Sequence, residues 1–125
     1  VDYLRLLGNT GEEFDMHFEK VTYGPDQRRP RLIWAEGQPP QQLIELKTRI
    51  EEVLRQKLEN RPFLLHLTLA RFHEEDFQNF SIKEINDHVS WHERVSSFVL
   101  MESHLSSRGA EYEILSEFPF SRRGK

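Results

Sequence analysis

Residues 64–72, LLHLTLARF, constrain the fold of this chain more than any other stretch. Apolar and polar side chains alternate there, which is the pattern of a half-buried β-strand. Because successive side chains on a strand point to opposite faces, Leu65, Leu67 and Leu69 are predicted to face the core. His66 and Thr68 would then share the other face, with their polar atoms side by side. A strand that only filled a core would need neither group.

The His66–Thr68 pair is suited to phosphoester chemistry. An imidazole titrates near neutral pH and can accept or donate a proton. A threonine hydroxyl is a neutral donor that can bind a phosphoryl oxygen. The alternative is a strand whose outer face carries a histidine and a threonine without function, since threonine is common in strands. The spacing alone leaves both interpretations open.

The remaining pattern predicts four more strands and one helix. Strands are expected at residues 13–23, 31–37, 94–105 and 111–120, and a helix at residues 38–60, with Pro39 and Pro40 in its first turn. Gly109 fits a turn that needs a positive φ between the last two strands. Residues 73–93 are predicted to be irregular, apart from a helical turn at 82–87. This order predicts an α+β fold with antiparallel sheets and a helix packed on a sheet face.

The first nine residues, VDYLRLLGN, resemble the tail of a strand that is already under way. We therefore expect residues 1–125 to form a single domain that is N-terminally incomplete. The sheet edges left by a missing strand would favour exchange with a second copy, which predicts a strand-exchanged homodimer as one arrangement.

Composition narrows the function further. The chain has no cysteine, which excludes thiolate nucleophiles and zinc–thiolate sites. The net charge of −4 argues against binding along a long nucleic acid, which needs many phosphate contacts. It favours binding to a short oligonucleotide or to the end of a strand. Neither a membrane span nor a secretory signal is visible, so we expect a cytoplasmic protein without a membrane partner. His88 and His92 have metal-ligand spacing for a helix, but no third ligand accompanies them.

Four segments in order resemble the two-histidine phosphoesterases, and most of all the 2′-5′ RNA ligase family, also described as RNA 2′,3′-cyclic phosphodiesterases. These segments are RPRLIWAEG, the amphipathic helix, RPFLLHLTLARF and VLMESHLSSRGAEYEIL. The family's second His-x-Thr motif and a later segment match at His66, Thr68, Leu69, Arg71, Ser103, Leu105, Gly109 and Tyr112. The resemblance covers nearly the whole chain.

The resemblance implies two similar lobes with a cleft between them, each lobe supplying one His-x-Thr. It implies hydrolysis of a 2′,3′-cyclic phosphate at an RNA end, or on a small cyclic nucleotide, to a 2′-phosphate without metal or cofactor. Ligation to a 2′-5′ bond would be the reverse reaction. His66 would be the general base, Thr68 would bind the phosphate, and the other histidine would protonate the leaving 3′-oxygen.

Arg71 and Phe72 are the further candidates for substrate binding. Arg71 matches the family's arginine after the motif, and a guanidinium pairs well with phosphate oxygens. Strict alternation places Arg71 with the leucines, so it reaches the site only if the strand bends. Strict alternation places Phe72 on the same face as His66. Its ring is therefore expected either to stack on a base of the substrate or to pack against other side chains of the protein.

The family's first motif is not seen. Laid on this chain, it places Val1 where the histidine should be and Tyr3 where the threonine should be. Neither replaces the lost chemistry, because valine carries no proton and a phenol has a pKa of about 10. This leaves three hypotheses open: an enzyme, a noncatalytic nucleotide- or RNA-end-binding module, and an α+β interaction domain.

Overall fold

A computed structural model describes residues 2–56 and 63–121, and the chain divides into two units. One unit comprises residues 1–15, 41–58 and 94–125, and the other comprises residues 16–40 and 59–93. The elements in chain order are α1 (Asp2–Thr10), β1 (Phe14–Gly24), β2 (Leu32–Gly37), α2 (Gln41–Leu54), β3 (Leu65–Arg71), a 3₁₀ helix (Glu74–Asn79), β4 (Asn86–Val95), β5 (Ser97–Ser106) and β6 (Gly109–Pro119). The predicted α+β class with antiparallel sheets is confirmed.

The unit of residues 16–40 and 59–93 is built on a four-stranded sheet in the order β3-β2-β1-β4. β2 is antiparallel to both β1 and β3. Phe18, Leu32, Ala35 and Leu65 are buried. Tyr23, which is also buried, donates a hydrogen bond of 2.7 Å from its hydroxyl to the Ile82 carbonyl, which ties the chain before β4 to β1.

The other unit holds α1, α2 and the antiparallel hairpin β5–β6. Its core is aromatic: the Phe98 ring lies 5.0 Å from that of Phe118 and 5.6 Å from that of Phe120, which in turn lies 5.7 Å from that of Phe14. Helix α1 approaches β6 closely at Gly8, where an added Cβ would lie 2.9 Å from the Pro119 carbonyl oxygen. Only a glycine permits this approach.

The prediction of a strand at the N-terminus is wrong, because Asp2–Thr10 forms α1. Leu4, Leu7 and Gly8 follow a helical i, i+3, i+4 spacing, and they are the least exposed residues of this segment. The comparison of Tyr3 with a strand-borne threonine therefore fails, while Val1 lies outside the described residues. The prediction of a single incomplete domain stays a prediction.

The prediction of an irregular region at 73–93 holds only for residues 73 and 80–85, and the helical turn predicted at 82–87 is not formed. A 3₁₀ helix occupies Glu74–Asn79, and β4 begins at Asn86. Only Val89 and Val95 of β4 are partly buried, so this strand lacks the alternating apolar signal that marks a half-buried strand.

Two other predictions hold with small changes. Helix α2 is present but begins at Gln41, so both prolines precede it. The β5–β6 hairpin is present, and Gly109 has a φ of +110° in its turn. Within the described residues, no helix combines the length and the apolar character that a membrane crossing needs.

Candidate active site

Strand β3 presents His66 and Thr68 on one face of the four-stranded sheet. In its ladder with β2, His66 lies opposite Glu36, and Thr68 lies opposite Trp34. Opposed residues of a ladder share a face, so the predicted arrangement of the pair is confirmed. His66 is exposed and Thr68 is half-buried, which leaves the imidazole accessible to a ligand.

The imidazole of His66 has two defined neighbours. Its Nδ1 lies 3.2 Å from the carbonyl oxygen of Leu64, which can only accept a hydrogen bond. This contact assigns the proton of the neutral ring to Nδ1. The indole of Trp34 packs against the same ring, with 4.5 Å between centroids and 36° between planes. Nε2 is then the nitrogen with the free lone pair, as a general base requires.

A row of polar contacts extends from Trp34 across the sheet. The indole nitrogen of Trp34 donates to Glu36 Oε2 at 3.0 Å, and Glu36 Oε1 lies 3.4 Å from Lys20 Nζ on β1. The sequence pattern by itself does not mark these three residues as part of a site. Alternation along residues 31–37 places Trp34 and Glu36 on one face, but only the strand pairing shows that this face is also the face of His66.

A β-bulge in β3 decides the position of Arg71. Trp34 pairs with Thr68, but the next residue back along β2, Ile33, pairs with Ala70, so Leu69 is an extra residue. Arg71 consequently lies opposite Leu32, which shares the face of Trp34 and Thr68. The bend that Arg71 needs in order to reach the site is therefore present in β3, and Arg71 lies on the same face as His66 and Thr68.

The same bulge turns Phe72 to the opposite face. Its ring makes edge contacts with the rings of Tyr23, at 6.1 Å, and Phe80, at 4.9 Å. The prediction that Phe72 and His66 point to the same face of the sheet is therefore wrong, because the alternation of side chains is interrupted at Leu69. The ring packs in an aromatic cluster, and a role in base stacking stays a prediction.

The leucines of β3 are only partly as predicted. Leu65 is buried, but Leu67 is 48% exposed and Leu69 is 47% exposed. The prediction that all three face the core is therefore wrong for the latter two. Strand alternation assigns a face to a side chain, and the burial of that face depends on elements elsewhere in the chain.

Three of the other histidines, His17, His92 and His104, have side-chain partners. His88 and His92 lie on strand β4 rather than on a helix. The His92 ring stacks on that of His17 at 4.2 Å, and the Ser90 hydroxyl lies 3.3 Å from Nε2 of each. On the hairpin, His104 is exposed, and its Nε2 lies 3.0 Å from Glu102 and 3.2 Å from Glu113. These three side chains are close enough to hold a metal ion, but all are exposed and the ion pairs account for their arrangement.

Known structures share this fold. TT0787 of Thermus thermophilus matches with 21% identity and a TM-score of 0.72, over 98% of this chain and 69% of that one. LigT of E. coli complexed with 3′-AMP matches with 24% identity and a TM-score of 0.68, over 96% of this chain and 68% of that one. A structure described as a phosphoesterase matches with 23% identity and a TM-score of 0.68, over 96% and 68% of the two chains.

The sequence itself carries the family relationship. None of the curated protein sequences matches the chain. The family model described as the 2′-5′ RNA ligase superfamily matches residues 3–106, which include β3 and β5 and end before β6. This match, together with the LigT-like fold and the His-x-Thr pair on β3, shows that the chain belongs to the 2′-5′ RNA ligase superfamily.

Proposed function

We propose that this chain hydrolyses 2′,3′-cyclic phosphates, at the ends of RNA or on small nucleotides, to 2′-phosphates. The observation that carries the proposal is the common face of β3, on which His66, Thr68 and Arg71 are all present. An imidazole, a hydroxyl and a guanidinium together supply a base, a neutral donor and a cation. In a reaction without metal, these groups activate the attacking water and stabilise the charge on the phosphoryl oxygens, while the acid that protonates the 3′-oxygen in the family has no counterpart among them.

The reaction begins at Nε2 of His66. This nitrogen accepts a proton from water while the water oxygen forms a bond to phosphorus. The bond between phosphorus and the 3′-oxygen breaks, and the 3′-oxygen takes up a proton from solvent to become a hydroxyl, after which the His66 imidazolium returns its proton to solvent. The hydrogen bond from Nδ1 to the Leu64 carbonyl stabilises the imidazolium that forms. A 2′-phosphate remains on the ribose.

Thr68 and Arg71 act on the phosphate rather than on the proton. The Thr68 hydroxyl donates to a nonbridging oxygen, and the Arg71 guanidinium pairs with the same group and stabilises its growing charge. Phe72 contributes through the aromatic packing that fixes the end of β3. The proposal requires no metal and no cofactor, and joining RNA ends by a 2′-5′ bond is the reverse of this chemistry. A cytoplasmic location and a strand-exchanged homodimer remain predictions.

The neighbours' ligands are consistent with a nucleotide substrate. LigT of E. coli has been solved with 3′-AMP, with NADP+, with ATP and with phosphate. A site of this fold therefore accommodates nucleotides in that protein. We extend this binding to the present chain as part of the proposal.

A noncatalytic module that binds nucleotides or RNA ends is the second candidate. It is favoured by the presence of a single His-x-Thr pair in the sequence, at His66 and Thr68. Such a module would retain the phosphate contacts of Thr68 and Arg71 without turning over the bound group.

Hydrolysis of a nucleoside 2′,3′-cyclic phosphate in EDTA tests the proposal. We expect turnover in EDTA that falls about 10²- to 10⁴-fold in His66→Ala, the usual contribution of a general base. Thr68→Val is the matched variant that preserves shape and removes the hydroxyl. Loss of activity in EDTA, or full activity in His66→Ala, would overturn the mechanism. Binding of a nucleoside 2′-phosphate without any turnover would favour the noncatalytic module, and neither binding nor turnover would favour an interaction domain.

A further inference from the structure

A cavity of about 570 Å³ lies at one end of the four-stranded sheet. Its walls come from β1, from the loop that follows β1, from the 3₁₀ helix and from the residues that lead into β4. Three cationic side chains, Lys20, Arg28 and Lys83, line it together with one carboxylate, Glu84. Its volume lies within the roughly 300–1,000 Å³ typical of small-molecule sites.

Two residues of the cavity wall lie on the face that carries the proposed catalytic groups. Lys20 lies opposite Glu36, which lies opposite His66, and Thr22 lies opposite Trp34, which lies opposite Thr68. Lys20 and Thr22, which both line the cavity, are therefore on the same face as the His66–Thr68 pair. Two strand spacings of about 4.8 Å separate them, so the distance is roughly 10 Å, which is the scale of one nucleotide.

The three cationic side chains differ in the partners that they already contact within the protein. Lys20 is paired with Glu36 at 3.4 Å. Lys83 donates to the Phe77 carbonyl, and its Nζ lies 4.6 Å from the centre of the Phe77 ring. Arg28 has no ion-pair partner within residues 2–56 and 63–121, and it is exposed. Its guanidinium is thus the group best placed to meet an anion.

Neutral groups complete the cavity. Gln27 Nε2 donates to Thr22 Oγ1 at 3.4 Å, and both side chains line the wall beside Arg28. An amide, a hydroxyl and a guanidinium next to the half-buried ring of Phe77 suit a nucleoside with its phosphate. The guanidinium of Arg28 matches one phosphodiester, which also agrees with the net charge of −4.

We propose that this cavity binds the nucleotide on the 5′ side of the cyclic phosphate, with Arg28 on the connecting phosphodiester. The inference rests on the proposed function and specifies its substrate class. A 2′,3′-cyclic phosphate terminates its strand, so any further RNA extends from the 5′ side of that nucleotide. The preferred substrate is then an oligoribonucleotide of two or more residues rather than a mononucleoside cyclic phosphate.

The first test compares kcat/KM for a trinucleotide that ends in a 2′,3′-cyclic phosphate with kcat/KM for the corresponding mononucleotide. We expect the wild type to favour the trinucleotide at least ten-fold, and Arg28→Gln to reduce this ratio by a similar factor. Arg29→Gln is the matched control, because Arg29 lies one residue away, pairs with Glu74 at 4.0 Å and does not line the cavity. Arg28→Lys should retain an intermediate preference. Equal ratios in wild type, Arg28→Gln and Arg29→Gln would overturn the subsite.

A binding experiment separates failure of the subsite from failure of the chemistry. Fluorescence anisotropy measures the affinity for a labelled trinucleotide with a 2′-phosphate end, which needs no turnover. We expect the logarithm of the dissociation constant to rise with the logarithm of salt about 0.7 more steeply in wild type than in Arg28→Gln, as for one single-strand phosphate. If this difference is present while turnover is absent, the subsite stands and the hydrolase proposal fails. If turnover is present and the slopes agree, the subsite alone fails.

Discussion

Deletion of Leu69 tests the placement of the candidate site on β3. Because Leu69 is the extra residue of the bulge, its removal leaves the pairs Trp34–Thr68 and Ile33–Ala70 intact and makes the ladder regular. Full burial of a leucine contributes about 1.5–3 kcal/mol, and Leu69 is 47% exposed, so about half of that is lost. A regular ladder regains roughly 0.5–1.5 kcal/mol of hydrogen bonding. The free energy of unfolding should change by about 1 kcal/mol or less, and cyclic phosphodiesterase activity should persist.

Deletion of Leu67 is the matched control, because this side chain is 48% exposed and loses a similar burial. It lies between His66 and Thr68, so its removal places the pair on opposite faces of the sheet. Activity should then fall about 10²- to 10⁴-fold. Urea denaturation and turnover of a nucleoside 2′,3′-cyclic phosphate measure both effects. The reasoning is refuted if the two deletions reduce activity equally, or if only the Leu67 deletion remains active.

The remaining predictions concern the catalytic base, the core and the hairpin. His66→Ala should lower activity about 10²- to 10⁴-fold while the melting temperature changes little, because the ring is exposed; a parallel loss of folding, seen by circular dichroism, would contradict this. Phe118→Ala should lower the free energy of unfolding by about 3–5 kcal/mol in urea, because this ring is 1% exposed; a change under about 1 kcal/mol would count against the aromatic core. Gly109→Ala should cost about 1–3 kcal/mol, because a φ of +110° strains an alanine; an unchanged denaturation midpoint would argue against this turn.

Local pattern predicted those elements whose own residues carry the signal. Alternation identified β3 and the common face of His66 and Thr68, and the glycine at 109 identified the hairpin turn. Helix α2 followed from its apolar spacing, although only the structure places its start at Gln41. The family resemblance is confirmed by the family-model match over residues 3–106, which contains the motif residues of β3 and β5.

Features that depend on pairing between distant strands could not be predicted in this way. Because of the extra residue in β3, Arg71 and Phe72 each point to the face opposite to the one that strict alternation predicts. Nothing in the sequence of residues 67–72 marks the position of this bulge. Strand β4 was missed because most of its side chains are exposed on both faces. The contact of Trp34 with His66 depends on the register between β2 and β3, which separate sequence segments do not specify.

The most direct test of the account is an NMR titration with a nucleoside 2′-phosphate, the proposed product. We predict saturable shifts of the His66 ring nitrogens, the Thr68 amide and the Arg71 guanidinium, all from one face of β3. His104, on the hairpin, should remain unshifted. Shifts confined to His104, or an unchanged His66 ring at saturating nucleotide, would contradict the claim that this face binds the phosphate.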